Sequence, residues 1–176
     1  MADPKRPRRA AKSTRPRVDK RALLRSILTE LTAELERYAV TARAAHAEAT
    51  HEQSKAENKY DTRGLEASYL AQGQSRQAAE TELARQQFES LEIRQFNPEE
   101  PVELGALVEV EVDAERTCYF IGPRAGGLEI TQGGAEVIVI TPQSPLGQQL
   151  TGRKQGDEWQ TGSGRTLRKF RVISVS

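Results

Sequence analysis

Asn97-Pro98-Glu99-Glu100-Pro101 divides this 176-residue chain into two parts of different periodicity. Proline disfavours helix at its own position and at the residue before it, so two prolines within four positions mark a firm boundary. Upstream, apolar residues recur with helical spacing; downstream, they alternate with polar ones and are rich in β-branched types. The expected architecture is α+β: a helical part over residues 19–96 and a sheet part over 102–176.

The upstream part carries an apolar series at Leu24, Leu28, Leu31, Leu35, Tyr38, Ala42, Ala45 and Ala49, in steps of four and three. That is the period of a coiled-coil seam. A looser series through Tyr60, Ala67, Leu70, Ala84, Phe88 and Leu91, interrupted by Gln74 and Gln77, can return along it. The spacing predicts helices over about 19–52 and 58–93, with Asp19 as the first N-cap and a tip near 52–58. At about 34 residues each and about 1.5 Å per residue, the antiparallel hairpin is on the order of 50 Å long. Gly64 and Gly73 fall inside the second helix and stand for either close packing or a bend.

Working downstream, Leu107–Val112, Thr117–Ile121 and Lys169–Val175 read as strands, and Trp159 stands at the start of another. Val137-Ile138-Val139-Ile140 is a continuous apolar run, as expected of a central strand covered on both faces. Gly126-Gly127 and Gly133-Gly134 mark turns. Ser144-Pro145 has the form of an N-cap followed by proline at the first helical position, opening a short helix to Leu150 that Gly152 ends. The expected fold is a small antiparallel sheet packed on one short helix.

Charge is unevenly spread. Residues 1–18 hold seven basic side chains and one acid, net +6, so the rest of the chain carries −5. This basic stretch, with three prolines, is too poor in apolar residues to offset the entropy of ordering and is expected to be a disordered tail. Clustered Lys and Arg can contact phosphates non-specifically, or can simply solubilise. The single cysteine, Cys118, excludes an internal disulfide framework and favours a reducing compartment. No run of about 18 apolar residues could span a bilayer, and no apolar segment follows the basic stretch as in a secretory signal. A cytoplasmic location is the expectation. His46 and His51 are five apart and do not share a helical face for metal binding. The glycine-rich segments lack nucleotide-binding fingerprints.

The segment Ile140-Thr141-Pro142-Gln143-Ser144-Pro145-Leu146-Gly147-Gln148-Gln149-Leu150-Thr151-Gly152-Arg153-Lys154-Gln155-Gly156-Asp157-Glu158 resembles the signature of the bacterial Gre transcript-cleavage factors, the GreA/GreB family. That family places a helical hairpin before a domain of FKBP-like fold, the same order of parts. The resemblance implies a factor that binds bacterial RNA polymerase, inserts its coiled coil into the secondary channel and stimulates hydrolysis of backtracked RNA. It would have no active site or metal of its own, and Mg²⁺ would be shared with the polymerase, since carboxylate oxygens suit that ion and two ions can clamp a phosphodiester in hydrolysis. Ser144, Pro145, Leu146, Gly147, Gly152, Gly156 and Asp157 would belong to the polymerase-docking surface.

At the tip, Glu57 and Asn58 match the family pattern Gly-Asp-x-x-Glu-Asn, whereas Gln53 replaces the Gly and Ser54 the Asp. The resemblance thus implies Glu57 as the metal-directed carboxylate, with Glu52 and Asp61 as candidate assistants. Ser54, Lys55, Asn58, Lys59 and Tyr60 are the further tip contacts, with nascent RNA, and DNA in the elongation complex, as partners beyond the polymerase. A monomer is expected. Two alternatives stay open: a channel-occupying regulator without cleavage activity, because a hydroxyl at Ser54 cannot supply the lost charge, and a nucleic-acid-binding protein acting through its basic tail.

Overall fold

The computed structural model describes residues 18–49, 63–163 and 167–176. Helices α1 (Lys20–Ala49) and α2 (Arg63–Glu89) come first, followed by strands β1 (Leu107–Val112), β2 (Glu115–Ile121), β3 (Glu129–Gln132) and β4 (Ala135–Ile140). A short helix α3 (Pro145–Leu150) precedes β5 (Glu158–Thr161) and β6 (Arg168–Val175). No helix among the described residues is long and apolar enough to cross a membrane.

Asp19 caps α1 as its sequence position predicts: its carboxylate accepts from the amides of Arg21 (2.8 Å) and Ala22 (3.3 Å). At the hairpin base Leu31 is buried as expected, but the two seam positions before it are shifted by one residue. Leu23, Ile27 and Leu31 are the buried ridge, packed with Ala84 and Phe88 of α2, while Leu24 and Leu28 are only half-buried at its side. The physical reason is the number of neighbours. A coiled-coil seam faces one partner, whereas the base of α1 faces both α2 and the sheet residues Ile130, Val137 and Val139, which rotates and widens its apolar stripe. Further out the seam thins: Tyr38 is half-buried, Ala42 and Ala45 are exposed, and Leu70 is 66% exposed. α2 is helical across Gly64 and Gly73, and a Cβ at Gly73 would meet nothing, so close packing does not explain that glycine.

The six strands form one sheet in the order β3-β4-β2-β1-β6-β5. Four of its five pairings are antiparallel, but β2 and β4 run parallel, so the expected all-antiparallel sheet is corrected to a mixed one. The cause is β3, a four-residue strand with a single buried apolar residue, Ile130, that the sequence pattern does not reveal. The chain leaves β2, crosses to the edge to make β3, and hairpins back through Gly133-Gly134, so β4 arrives beside β2 pointing the same way. Both turn glycines have positive φ (62° and 80°), the requirement of a two-residue type I′ hairpin turn.

Alternation along the strands builds two cores. Phe120, Val137 and Val139 face the hairpin base, whereas Ile121, Ile138 and Ile140 point to the other face, with Val108, Val110, Val172 and Leu150 of α3. The strand expected to be covered on both faces is β4, and it is. Where the helices do not reach, a row of charges crosses four strands: Arg116, Glu111, Arg171 and Glu158 are register partners in sequence. Arg116 pairs with Glu111 at 3.0 Å and Arg171 with Glu158 at 3.4 Å.

The segment between α2 and β1 is tied down by cations. The Lys20 ammonium, buried at the start of α1, donates to the carbonyls of Arg94 and Gly105, and it lies 4.8 Å from the centre of the Phe96 ring. Arg94 stacks on the same ring at 3.7 Å and pairs with Glu100 (2.8 Å) and Glu103 (3.3 Å). The Asn97 amide, then Arg94, hold the Glu100 carboxyl below its usual range. Burial, with Arg94 second, lowers the Lys20 pKa from 10.5 to about 8.

Two predictions follow from these features. Between about pH 8 and 10.5 the unfolded chain holds the Lys20 proton that the folded chain has released, so stability rises with pH across this window. Below pH 8 both states are charged and this slope vanishes. Chemical denaturation at several pH values should show the rise in the native protein and lose it in Lys20→Met. The β1–β2 hairpin turns on Asp113 (φ 50°) and Ala114 (φ 75°), the same geometry as Gly133-Gly134 but with side chains. Ala114→Gly should therefore raise the thermal midpoint, gaining about 1 kcal/mol of relieved strain.

Candidate docking surface and hairpin tip

The motif from Ser144 to Asp157 is folded by backbone requirements that its sequence anticipates in part. The Ser144 hydroxyl accepts from the Gly147 amide (3.1 Å) and donates to the Thr141 carbonyl (2.8 Å), capping α3, and Pro145 occupies the first turn. Gly147 is fixed sterically: a Cβ there would lie 1.8 Å from the Thr141 carbonyl oxygen. Leu150 is fully buried and Leu146 packs against the same core. Gly152 (φ 85°) follows the helix, and its amide bonds the Val102 carbonyl at 2.9 Å. At the next turn the Asp157 carboxylate accepts from the Lys154 amide (2.9 Å). The Gly156 amide donates to the Val172 carbonyl and the Val172 amide to the Asp157 carbonyl, both at 2.9 Å, clasping β6.

These contacts divide the seven docking candidates. Ser144, Gly147, Gly152, Gly156 and Asp157 shape the backbone, while Pro145 and Leu146 reach an open groove of about 440 Å³. The groove lies between α3 and the sheet, and Tyr119, Phe170 and Val112 supply its other apolar walls. Asp113, Glu115 and Arg168 charge its rim. Tyr119 and Phe170 were not among the sequence candidates, because alternation alone does not tell which of two covered faces stays partly open.

Beside this groove Trp159 is a half-buried rim anchor. Its ring stacks on Phe170 (centroids 5.0 Å apart, 18° between planes), and its indole N–H donates to the Gln149 side chain at 2.8 Å. Arg153 covers it, with the guanidinium 4.3 Å from the ring centre. The one polar atom of the Trp159 ring is thus hydrogen-bonded within the chain, and the ring itself is stacked, which is the condition for a rigid contact surface.

The tip candidates Glu52, Ser54, Lys55, Glu57, Asn58, Lys59, Tyr60 and Asp61 fall between the end of α1 at Ala49 and the start of α2 at Arg63, outside the described residues. Among the described residues, no group of three or more His, Cys, Asp or Glu side chains is placed to hold a metal ion. Cys118, half-buried on the hairpin side of the sheet, has its thiol pKa raised by burial and then by Glu109, which disfavours a reactive thiolate.

No family model matches the chain, and no curated protein matches it. Eight chains of solved structures do match. A GreA factor homolog, Gfh1, of Thermus thermophilus is 21% identical, with 85% of this chain and 94% of that chain covered and a TM-score of 0.35. Thermus aquaticus Gfh1 gives 20% identity, coverage of 86% and 94%, and a TM-score of 0.36. A prokaryotic transcription elongation factor GreA/GreB from Nitrosomonas europaea gives 20% identity, coverage of 55% and 78%, and a TM-score of 0.34.

The division of the motif predicts two different costs. Ser144→Ala removes one cap and should destabilise by about 1 kcal/mol. Gly147→Ala must push α3 away from Thr141 and should cost about 3 kcal/mol or more, since overpacking and a lost cap act together. Denaturant midpoints of the two variants against the native chain measure the difference.

Proposed function

We propose that this chain is a Gre-like transcription elongation factor that binds bacterial RNA polymerase through the groove beside α3 and presents its hairpin tip in the secondary channel, stimulating cleavage of backtracked RNA. The observation that carries this reading is the Ser144–Asp157 motif. Its residues fold α3 into a wall of an open groove with a mixed apolar and charged lining, on the sheet face opposite the hairpin base. One face then serves for docking while the other carries the rod. The chain's own contribution to the chemistry would be positional, since Glu57 falls in the sequence between the end of α1 at Ala49 and the start of α2 at Arg63. A carboxylate there suits a Mg²⁺ ion shared with the polymerase, and the chain is not an enzyme by itself.

A second reading rests on Ser54. With a hydroxyl where the family has a carboxylate, the hairpin would occupy the channel without supporting cleavage.

RNA cleavage in stalled, backtracked complexes of a bacterial polymerase, with magnesium present, separates the two. The cleavage reading expects rapid 3′ shortening with the native protein and a loss of about 10- to 100-fold in Glu57→Ala. Absence of shortening, together with competition against an active cleavage factor, would replace it by the channel-occupying reading. Pro145→Glu tests the docking side: glutamate is compatible with the first turn of α3, yet it charges the groove wall. Polymerase binding should fall while folding is retained. If binding instead disappears only when residues 1–18 are deleted, with the salt dependence flattened, the basic tail is the active element and the groove is not.

A further inference from the structure

Phe88 is fully buried one residue before the end of α2, and its ring sits on a glycine. A Cβ at Gly122 would lie 2.7 Å from the ring's ζ carbon and 2.8 Å from a methyl of Val139. Gly122 follows β2 directly, and its amide donates to the Ile140 carbonyl at 2.9 Å, so the socket belongs to the parallel β2–β4 centre of the sheet and cannot recede. Two residues on, Arg124 Nε donates to the side chain of Gln87 (3.2 Å), the neighbour of Phe88. On the other helix, the Asp19 amide donates to the Gln132 side chain of β3 at 3.1 Å. The hairpin is therefore keyed to the sheet by a ring in a glycine socket, with one polar bond beside it, while α1 is held at its start by the Asp19–Gln132 bond and the Lys20 ammonium.

We propose that Phe88 and Gly122 are positioning residues that set the direction in which the hairpin leaves the sheet. The lever is long. Arg63, where α2 begins, is 25 residues from Phe88, or about 38 Å at about 1.5 Å per residue. A tilt of about 10° at the socket thus carries that end sideways by about 7 Å, well beyond the reach of a metal–carboxylate contact of about 2 Å. Of the remaining base contacts, Leu23, Ile27, Leu31 and Ala84 are aliphatic ridges, and Lys20 pins only the start of α1 to the carbonyls of Arg94 and Gly105, whereas the Phe88 ring in its socket fixes α2 in one seating. The inference concerns the chain's own geometry and does not depend on the polymerase reading.

The test uses the full chain with Cys118→Ala and spin labels at exposed positions 75 on α2 and 154 beyond α3, read as a distance distribution by pulsed electron resonance. The native socket should give one narrow distribution. Gly122→Ala should shift or broaden it by several Å with helix content unchanged, and Gly122→Ala with Phe88→Leu, which exchanges knob for socket volume, should narrow it again. A folded Gly122→Ala with the native distribution, or a double variant no narrower than the single, overturns the proposal. Should Gly122→Ala fail to fold, Phe88→Leu decides: a broadened distribution supports the keying and an unchanged one refutes it. A role in stability alone would lower the thermal midpoint without altering distances well below it.

Discussion

The constraint on which the rest depends is that β4 is apolar on both faces. Val137 and Val139 demand a cover on one side, Ile138 and Ile140 on the other. A single sheet of six strands can satisfy both only if two separate pieces of chain close over it. The hairpin base supplies one lid through Leu23, Ile27 and Phe88. The short helix α3 and the segment with Phe96 and Val102 supply the other. Each covering piece brings its own requirement: a buried ammonium at Lys20 on the junction, a steric limit at Gly147 under α3. The functional geometry follows from this two-sidedness, since a rod and a groove on opposite faces do not compete for space.

Much of this was legible in the sequence, because the strongest signals are local. Asp19, Ser144 and Pro145 are helix-start residues whose chemistry acts within one turn, and all three do what their positions imply. The run at Val137–Ile140 announced a doubly covered strand. What escaped is what depends on distant partners. Leu31 is buried as its period implies, but Leu23 and Ile27 take the places expected of Leu24 and Leu28, because the sheet joins α2 as a neighbour, which no period within α1 can encode. β3 is four residues with one buried side chain, below what alternation can reveal, and missing it hid the parallel β2–β4 pairing.

The candidate site shows the same division. The motif from Ser144 to Asp157 stands out by its resemblance to the Gre signature, but a resemblance does not distinguish a residue that shapes the backbone from one that forms the surface. The coordinates do: Gly147 has an oxygen where a side chain would go, while Pro145 and Leu146 border open space. Tyr119 and Phe170 come from strands far apart in sequence and meet only in the fold. The tip acids, including Glu57, are known from the sequence alone, and on the flanking helices Ala42, Ala45, Tyr69 and Leu70 are exposed.

The position of β6 has a consequence for how the protein is made. β6 lies in the interior of the sheet, between β1 and β5, and its partner β1 precedes it by almost sixty residues, Val112 being opposite Phe170. At a synthesis rate of about 5–20 residues per second, β1 and β2 leave the ribosome several seconds before the strand that completes them. During that interval the hairpin can coil by local contacts, but Val108 and Val110 have no β6 beside them. The sheet thus closes late, and the nascent chain spends those seconds with an unpaired apolar edge, the kind of surface that chaperones recognise.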